Sequence, residues 1–264
     1  MMRILISNDD GYHAPGIHAL AKAFAKHEVV IVAPERERST TGHSLTLHKP
    51  LRMKKVEKNV YWVSGGPADC IYLGINILLK GKRPDFVLSG INRGANLGQD
   101  VFYSGTASAA REAANLGIPS MAVSLDLSYH SKKEEVPNYA AAGKAAVKAL
   151  DLALDIFSDG KKGPPLKHWP HRMMLNVNVP NLPWQKIKGL QPATQGHRIY
   201  GSQIVKRTDA RGRDYYWIGG TYQGYKPIVN SDCWWVDRGH VAVTPLELDT
   251  TMVSVYQQFQ ENWR

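Results

Sequence analysis

Arg3-Ile4-Leu5-Ile6-Ser7-Asn8-Asp9-Asp10-Gly11 is a short apolar run that stops on an amide, two carboxylates and a glycine. Downstream of it, Ile17, Leu20 and Phe24 recur at helical spacing over residues 17–27. Glu28-Val29-Val30-Ile31-Val32-Ala33 then forms a β-branched run closed by Pro34, the pattern of a strand buried on both faces of a parallel sheet. Strand, helix and strand make one βαβ unit, and the alternation continues. The pattern predicts strands over 61–64, 85–89, 120–125 and 173–179, with helices over 68–79, 106–116 and 138–157. The last of these helices places Val147, Leu150, Leu154 and Phe157 on one face. Such alternation predicts an α/β fold, a doubly wound, mostly parallel sheet with helices on both faces in three layers, α/β/α.

After Pro180 the composition shifts to Gly, Pro, Trp and Tyr, and no helix–strand alternation is expected until the end of the chain. Segments 204–207 and 215–218 flank Ala210-Arg211-Gly212-Arg213-Asp214 and predict a protruding β-hairpin. Val241-Ala242-Val243-Thr244-Pro245 reads as a return strand. Met252, Tyr256, Phe259 and Trp263 then fall on one face of an amphipathic terminal helix, whose apolar side must cover something, a second subunit being one candidate. The expected division is a core domain over 1–180 and a C-terminal extension over 181–264.

With 264 residues, the chain suits one large α/β domain with an appendage. Hydrophobic residues are 43% and charged residues 21%, which argues against both disorder and a membrane protein. The run before Asp9 is too short for a signal peptide's apolar region, and no later stretch reaches the roughly 20 apolar residues of a membrane span, so the cytoplasm is the expected compartment. Cys70 and Cys233 lack metal or redox spacing and read as reduced thiols. The net charge of +10 favours an anionic partner. Lys and Arg outnumber Asp and Glu by 19 to 15 over residues 1–157 and by 14 to 8 over 158–264, without a basic run. A phosphorylated small molecule accounts for that excess as well as nucleic acid does, and so does a solvated surface.

In open α/β sheets ligands bind beyond the carboxyl ends of the strands. Three loops there carry hard oxygen donors: Ser7 to Gly11, Arg38-Ser39-Thr40-Thr41-Gly42-His43-Ser44, and Ser89-Gly90-Ile91-Asn92-Arg93-Gly94-Ala95-Asn96. Asp9 and Asp10 can share a ligand only if the strand has ended and the chain is turning, which Gly11 permits. Paired carboxylates repel unless a cation or a proton intervenes, although an ordinary Asx turn uses the same residues. Ser39 and Asn92 add neutral oxygens, a set suited to Mg²⁺ or Mn²⁺ rather than zinc, or else act as loop hydrogen bonders. Tyr103-Ser104-Gly105-Thr106 opens a helix, where backbone N–H groups and the Ser104 and Thr106 hydroxyls could hold an anion, or where Ser104 serves as a plain N-cap. Dinucleotide GxGxxG, P-loop, HExxH and GxSxG motifs are absent.

Taken in order, these stretches resemble the SurE family signature. The likeness includes Ala14-Pro15-Gly16-Ile17, Val32-Ala33-Pro34, Gly42-His43-Ser44-Leu45-Thr46, Pro67-Ala68-Asp69-Cys70, Asn96-Leu97-Gly98 and, more weakly, Gly239-His240-Val241-Ala242-Val243-Thr244-Pro245. It covers about the first 125 residues, fades between 126 and 230, and departs at Ala95, where the family pattern has proline. The resemblance implies a Rossmann-like core and a metal-dependent 5′-nucleotidase acting on nucleoside monophosphates, with one divalent ion per subunit. It extends to 3′-nucleotides and short polyphosphate as further substrates, and to a homodimer or homotetramer. By position it assigns Asp9, Asp10, Ser39 and Asn92 to the metal, with Asp9 and Asp10 catalytic, and Asn96, Ser104, Gly105 and Thr106 to the phosphate. The competing reading is a basic nucleotide- or nucleic-acid-binding module without catalysis, supported by Tyr215, Tyr216, Trp217, Trp234 and Trp235 among cations. Such aromatic clusters more often bury themselves in cores or interfaces.

Overall fold

In the computed structural model, which describes residues 1–39, 42–127, 136–158 and 166–263, the opening apolar run is strand β1 (Arg3–Ser7). It leads through α1 (Pro15–Ala23) into β2 (Glu28–Pro34), then β3 (Met53–Glu57), β4 (Val60–Val63) and α2 (Pro67–Leu73). Next come β5 (Phe86–Arg93), α3 (Gly105–Asn115), β6 (Ser120–Asp126), α4 (Tyr139–Phe157) and β7 (Met173–Pro180). The remainder holds β8 (Leu190–Pro192), β9 (Arg198–Tyr200), β10 (Ile204–Thr208), β11 (Asp214–Ile218) and β12 (Tyr222–Tyr225). It closes with α5 (Asp232–Asp237), β13 (Val241–Glu247) and α6 (Val253–Asn262).

Nine strands form one sheet in the order β3-β4-β2-β1-β5-β6-β7-β13-β8. The block from β4 to β7 is parallel, whereas β3 runs antiparallel to β4 and β13 antiparallel to β7. Strand β1 lies in the middle, with Leu5 in register with Val30 on one side and Val87 on the other. Its alternate side chains serve two layers. Ile4 and Ile6 join Ile17, Leu20 and the alanines of α4 on one face, while Leu5 joins Cys70, Ile71, Ala109 and Ala113 of α2 and α3 on the other. Burial on both faces explains why the run is apolar without alternation, and each such side chain contributes about 1.5–3 kcal/mol. The sheet is the three-layer, doubly wound one expected from the sequence.

Helix α4 meets the core mainly through Ala141, Ala142, Ala145, Ala146, Ala149 and Ala153, with Leu150 also buried and Val147, Leu154 and Phe157 at the margin. Small side chains permit the close approach: a Cβ on Gly143 would lie 3.0 Å from Ala23 Cβ of α1. The helix expected over 68–79 is divided, since α2 is followed by a wider π-type turn over Gly74–Leu78. The end strand β3, absent from the sequence reading, carries Lys54 and Lys55 on a largely exposed edge, a common protection against strand addition.

Beyond residue 180 the main sheet continues, because β13 and β8 extend it past β7. Strands β10 and β11 form the expected hairpin, with Ile204 opposite Ile218 and Thr208 opposite Asp214. Strands β9 and β12 make a second ribbon. The expectation of no helix–strand alternation in this region is corrected by α5, which stands between β12 and β13. Ser231 caps it, accepting a hydrogen bond from Trp234 N at 3.3 Å, and Asp232 lies in the first turn. Both Cys70 and Cys233 are buried free thiols. No helix among the described residues is long and apolar enough to cross a membrane.

From β1 the chain passes to β2 on one side, while the other neighbour of β1 is β5, reached only later. The strand order therefore reverses between β1 and β5, and a crevice opens at their carboxyl ends. Asp9 and Asp10 follow β1, and Asn92 lies at the end of β5.

Candidate functional site

The turn after β1 is braced locally. Asn8 Nδ2 donates to Gly11 O at 2.9 Å, and Gly11 N donates back to Asn8 Oδ1 at 3.2 Å. Gly11 has φ +101°, a conformation that strains any residue with a Cβ. Asp9 and Asp10 are thus released from strand alternation. The second loop is tied to the first by Arg38 N donating to Asp9 O at 2.7 Å.

Asp9, only 4% exposed, rests on the first turn of α3. Its carboxylate accepts from the Thr106 hydroxyl and from the Thr106 backbone N–H. Gly105 makes room for this: a Cβ there would sit 2.6 Å from Asp9 Cβ and 2.8 Å from Oδ2. Burial raises the Asp9 pKa, opposed by these hydrogen bonds. Asp10 is pushed up to about 6, first by burial and then by the charge of Asp9, with the Arg93 backbone N–H pulling the other way.

Ser39 is exposed and donates to Glu37 Oε1 at 2.8 Å. The Asn92 amide nitrogen donates to Gly94 O at 2.9 Å, which turns the carbonyl oxygen into the end available for a ligand. Asn96 is fixed from three sides. Its N–H donates to Asn178 Oδ1, its Nδ2 donates to Ser124 Oγ at 2.7 Å, and its carbonyl accepts from Asn176 and Asn178. Ser104 caps α3, accepting from Ala107 N at 3.0 Å.

Asp9, Asp10, Ser39, Asn92, Asn96 and Ser104 line one cavity of about 860 Å³. Gly105 and Thr106 are not among the residues that line this cavity, and the Thr106 hydroxyl donates to the Asp9 carboxylate. Thr40 and Thr41 of the second loop lie outside the described residues. Arg93 of the third loop also lines the cavity, as do Glu37, Gln99, Asp100, Tyr200 and Ile218, to which the sequence pattern assigns no site role. Glu37 was findable, since it immediately precedes the Arg38 to Ser44 loop and sits two residues before Ser39. Tyr200 and Ile218 come from β9 and β11, and no local signal marks them.

The donor set can be weighed against a metal. No three His, Cys, Asp or Glu side chains among the described residues form a ready cage, and neither His nor Cys lines this cavity. Two carboxylates with a hydroxyl and an amide oxygen instead match the oxygen coordination of Mg²⁺ or Mn²⁺. Burial raises the pKa of both aspartates, and the charge of Asp9 adds to the rise at Asp10, a cost of charge that a divalent ion would offset.

A doubly wound α/β protein with an oxygen-lined acidic cleft at the reversal of strand order is the class that fold and site define. Comparison with known proteins narrows it: the model of the family described as Survival protein SurE matches residues 4–202, and the chain belongs to that family. Relatives named 5′-nucleotidase SurE include one from Geotalea daltonii, 51% identical over 95% of this chain and 94% of that protein. Another, from Geobacter sulfurreducens, is 48% identical over 95% of this chain and 89% of its own length. The crystal structure of the SurE protein from Aquifex aeolicus matches with a TM-score of 0.83 at 40% identity, covering 99% of this chain and 100% of that one.

Two outcomes follow from this geometry. Gly105→Ala should lower the unfolding free energy by about 1–3 kcal/mol in urea titration, because the new methyl group meets Asp9; wild-type stability would refute the close approach. A carboxylate whose pKa is higher in the folded than in the unfolded chain stabilises fully at low pH and loses that contribution as pH rises. In the presence of a chelator, the wild-type thermal midpoint should therefore fall relative to Asp10→Asn as pH rises from about 4 through about 6. A difference independent of pH would contradict the shift.

Proposed function

We propose that this protein is a divalent-metal-dependent phosphomonoesterase that hydrolyses nucleoside 5′-monophosphates to nucleoside and phosphate. The observation that carries the reading is the meeting of Asp9, Asp10, Ser39 and Asn92 with Asn96 and Ser104 around one cavity at the carboxyl edge of the sheet. The naming of close relatives as 5′-nucleotidases supports the substrate class.

In this reading Asp9 and Asp10, completed by Ser39 and Asn92, hold one Mg²⁺ or Mn²⁺ per subunit. When bound, such an ion offsets the charge that gathers on the phosphoryl oxygens in the transition state. Asn96 and Ser104 position the phosphoryl group from the other side, and the start of α3 behind Asp9 contributes the positive end of its dipole. Water is the attacking group: Asp9 is held by Thr106 at both side chain and backbone, an arrangement that fits a fixed ligand better than a moving nucleophile. The phosphorus–oxygen bond to the nucleoside breaks as water adds. Hydrolysis of 3′-nucleotides and short polyphosphate, and residence in the cytoplasm, extend the same proposal.

A homodimer or homotetramer is part of it as well, with residues 181–264 serving oligomerisation and the shaping of the substrate site. Tyr216 and Trp217 on the hairpin and Tyr256, Phe259 and Trp263 at the C-terminus are all exposed apolar groups. A second subunit would cover them. Two of the aromatic groups behind the binding-module alternative are engaged in packing. Trp234 and Trp235 pack edge-on at 4.6 Å, Trp235 also meets His240, and the Arg238 guanidinium lies over Trp234.

A phosphate-release assay over 5′- and 3′-nucleotides, sugar phosphates and polyphosphate, with Mn²⁺, Mg²⁺ or EDTA, tests the reading. Release from 5′-monophosphates that needs the cation is the expected result, and Asp9→Asn should lose about 10³ in rate, or about 4 kcal/mol, while remaining folded. Full activity in EDTA, or an active Asp9→Asn protein, would overturn it.

A further inference from the structure

The cavity that holds the aspartates is lined by a second, chemically different set of side chains. Besides Asp9 and Asp10 it is lined by Tyr103, Tyr200 and Ile218, together with Gln99 and Asp100. We propose that these residues form the nucleobase subsite, with the ring of Tyr200 as its principal platform and Tyr103 and Ile218 as its flanks. The proposal rests on the nucleotidase reading and goes beyond it by assigning residues to the leaving nucleoside.

Tyr200 is 40% exposed, yet its ring is fixed in place. The Tyr200 hydroxyl donates to Asp100 Oδ2, and Tyr222 meets the ring edge-on with centroids 5.9 Å apart. The guanidinium of Arg198 lies 5.3 Å from the Tyr200 ring centroid and 4.3 Å from that of Tyr222. Arg198 is itself only 8% exposed and pairs with Asp100 at 2.7 Å. A ring held from below and at its edge, with part of its surface open to a cavity, is prepared to receive a flat ligand without further ordering.

The platform is also tied to the segment that follows Asn96. Gln99 Nε2 donates to Arg198 O at 2.8 Å, and Arg198 N donates to Gln99 Oε1 at 2.8 Å. Asp232, 1% exposed, accepts from Gly98 N and Gly196 N, both at 2.9 Å. Strand β9 is thereby fastened to the loop that carries Asn96. Arg198, Asp100 and Asp232 are positioning residues in this account, since each acts through Tyr200 or its loop. Both ends of the Gln99 amide are engaged, so the subsite offers a face to the base more than a reader of its edges.

Neither a sugar phosphate nor a polyphosphate has a flat apolar face to place on Tyr200, whereas a nucleotide does. Stacking of a base on an aromatic side chain is a sizeable and sequence-tolerant interaction, enough for about tenfold in binding. The decisive quantity is the ratio of kcat/KM on AMP to kcat/KM on ribose 5-phosphate, which carries the same phosphorylated sugar without the base. The wild type should favour AMP, and Tyr200→Ala should lower the ratio about tenfold, chiefly through a higher KM for AMP. Tyr200→Phe, which keeps the ring, should retain most of the preference. A ratio unchanged in Tyr200→Ala overturns the subsite. Should that variant fail to fold, an unchanged ratio in both Tyr103→Ala and Ile218→Ala overturns it equally. A wild-type ratio near one would remove the base subsite and leave a sugar-phosphate phosphatase, while no phosphate release from either compound would remove the nucleotidase reading itself.

Discussion

The contact between the Asp9 carboxylate and the first turn of α3 is the constraint on which the rest of this site depends. It joins the end of a central strand to the start of a helix from the opposite layer, through Thr106 and through the bare Cα of Gly105. Because Arg38 N also donates to Asp9 O, the same residue fastens the loop that carries Ser39. One buried acid therefore sets the spacing of three segments. A carboxylate so placed costs desolvation energy, which hydrogen bonds and the helix dipole offset in part.

The fold can carry that cost because its strain is local and its core is large. Apolar clusters lie on both faces of the sheet, and the strands beside β1 are buried along most of their length. On a rigid platform of this kind, loops at the carboxyl edge hold polar atoms in fixed positions without contributing much to stability themselves. The Asn96 loop shows how this is done, with Asn176 and Asn178 reaching from β7 to grip its backbone. Two asparagines inside a buried strand would be unfavourable in isolation, and they are accounted for by the backbone groups they satisfy.

Much of this was legible in the sequence, for physical reasons. Apolar runs without alternation marked β1 and β2, and turn residues immediately after strands marked the loops bearing Asp9, Asp10, Ser39, Asn92 and Asn96. Periodicity served less well where burial is partial: β3 is an exposed edge, and α5 is too short to show a helical repeat. Long-range pairing was illegible altogether. Nothing local to Leu190 or Val241 announces that their strands extend the main sheet, nor that Tyr200 and Ile218 reach a cavity opened by residues 9 and 10. The roles of Ser104 and Thr106 were blurred for a related reason, because whether a hydroxyl caps a helix, holds a carboxylate or meets a ligand depends on which neighbour arrives from elsewhere in the chain.

The central claim is that oxygens from separate loops converge on one divalent ion beside the phosphoryl position. Anomalous diffraction from crystals soaked in Mn²⁺ tests this most directly. The account predicts a single strong peak coordinated by Asp9 and Asp10 and completed by Ser39 and Asn92. A peak held by other residues, or none in this cavity at saturating Mn²⁺, would contradict it.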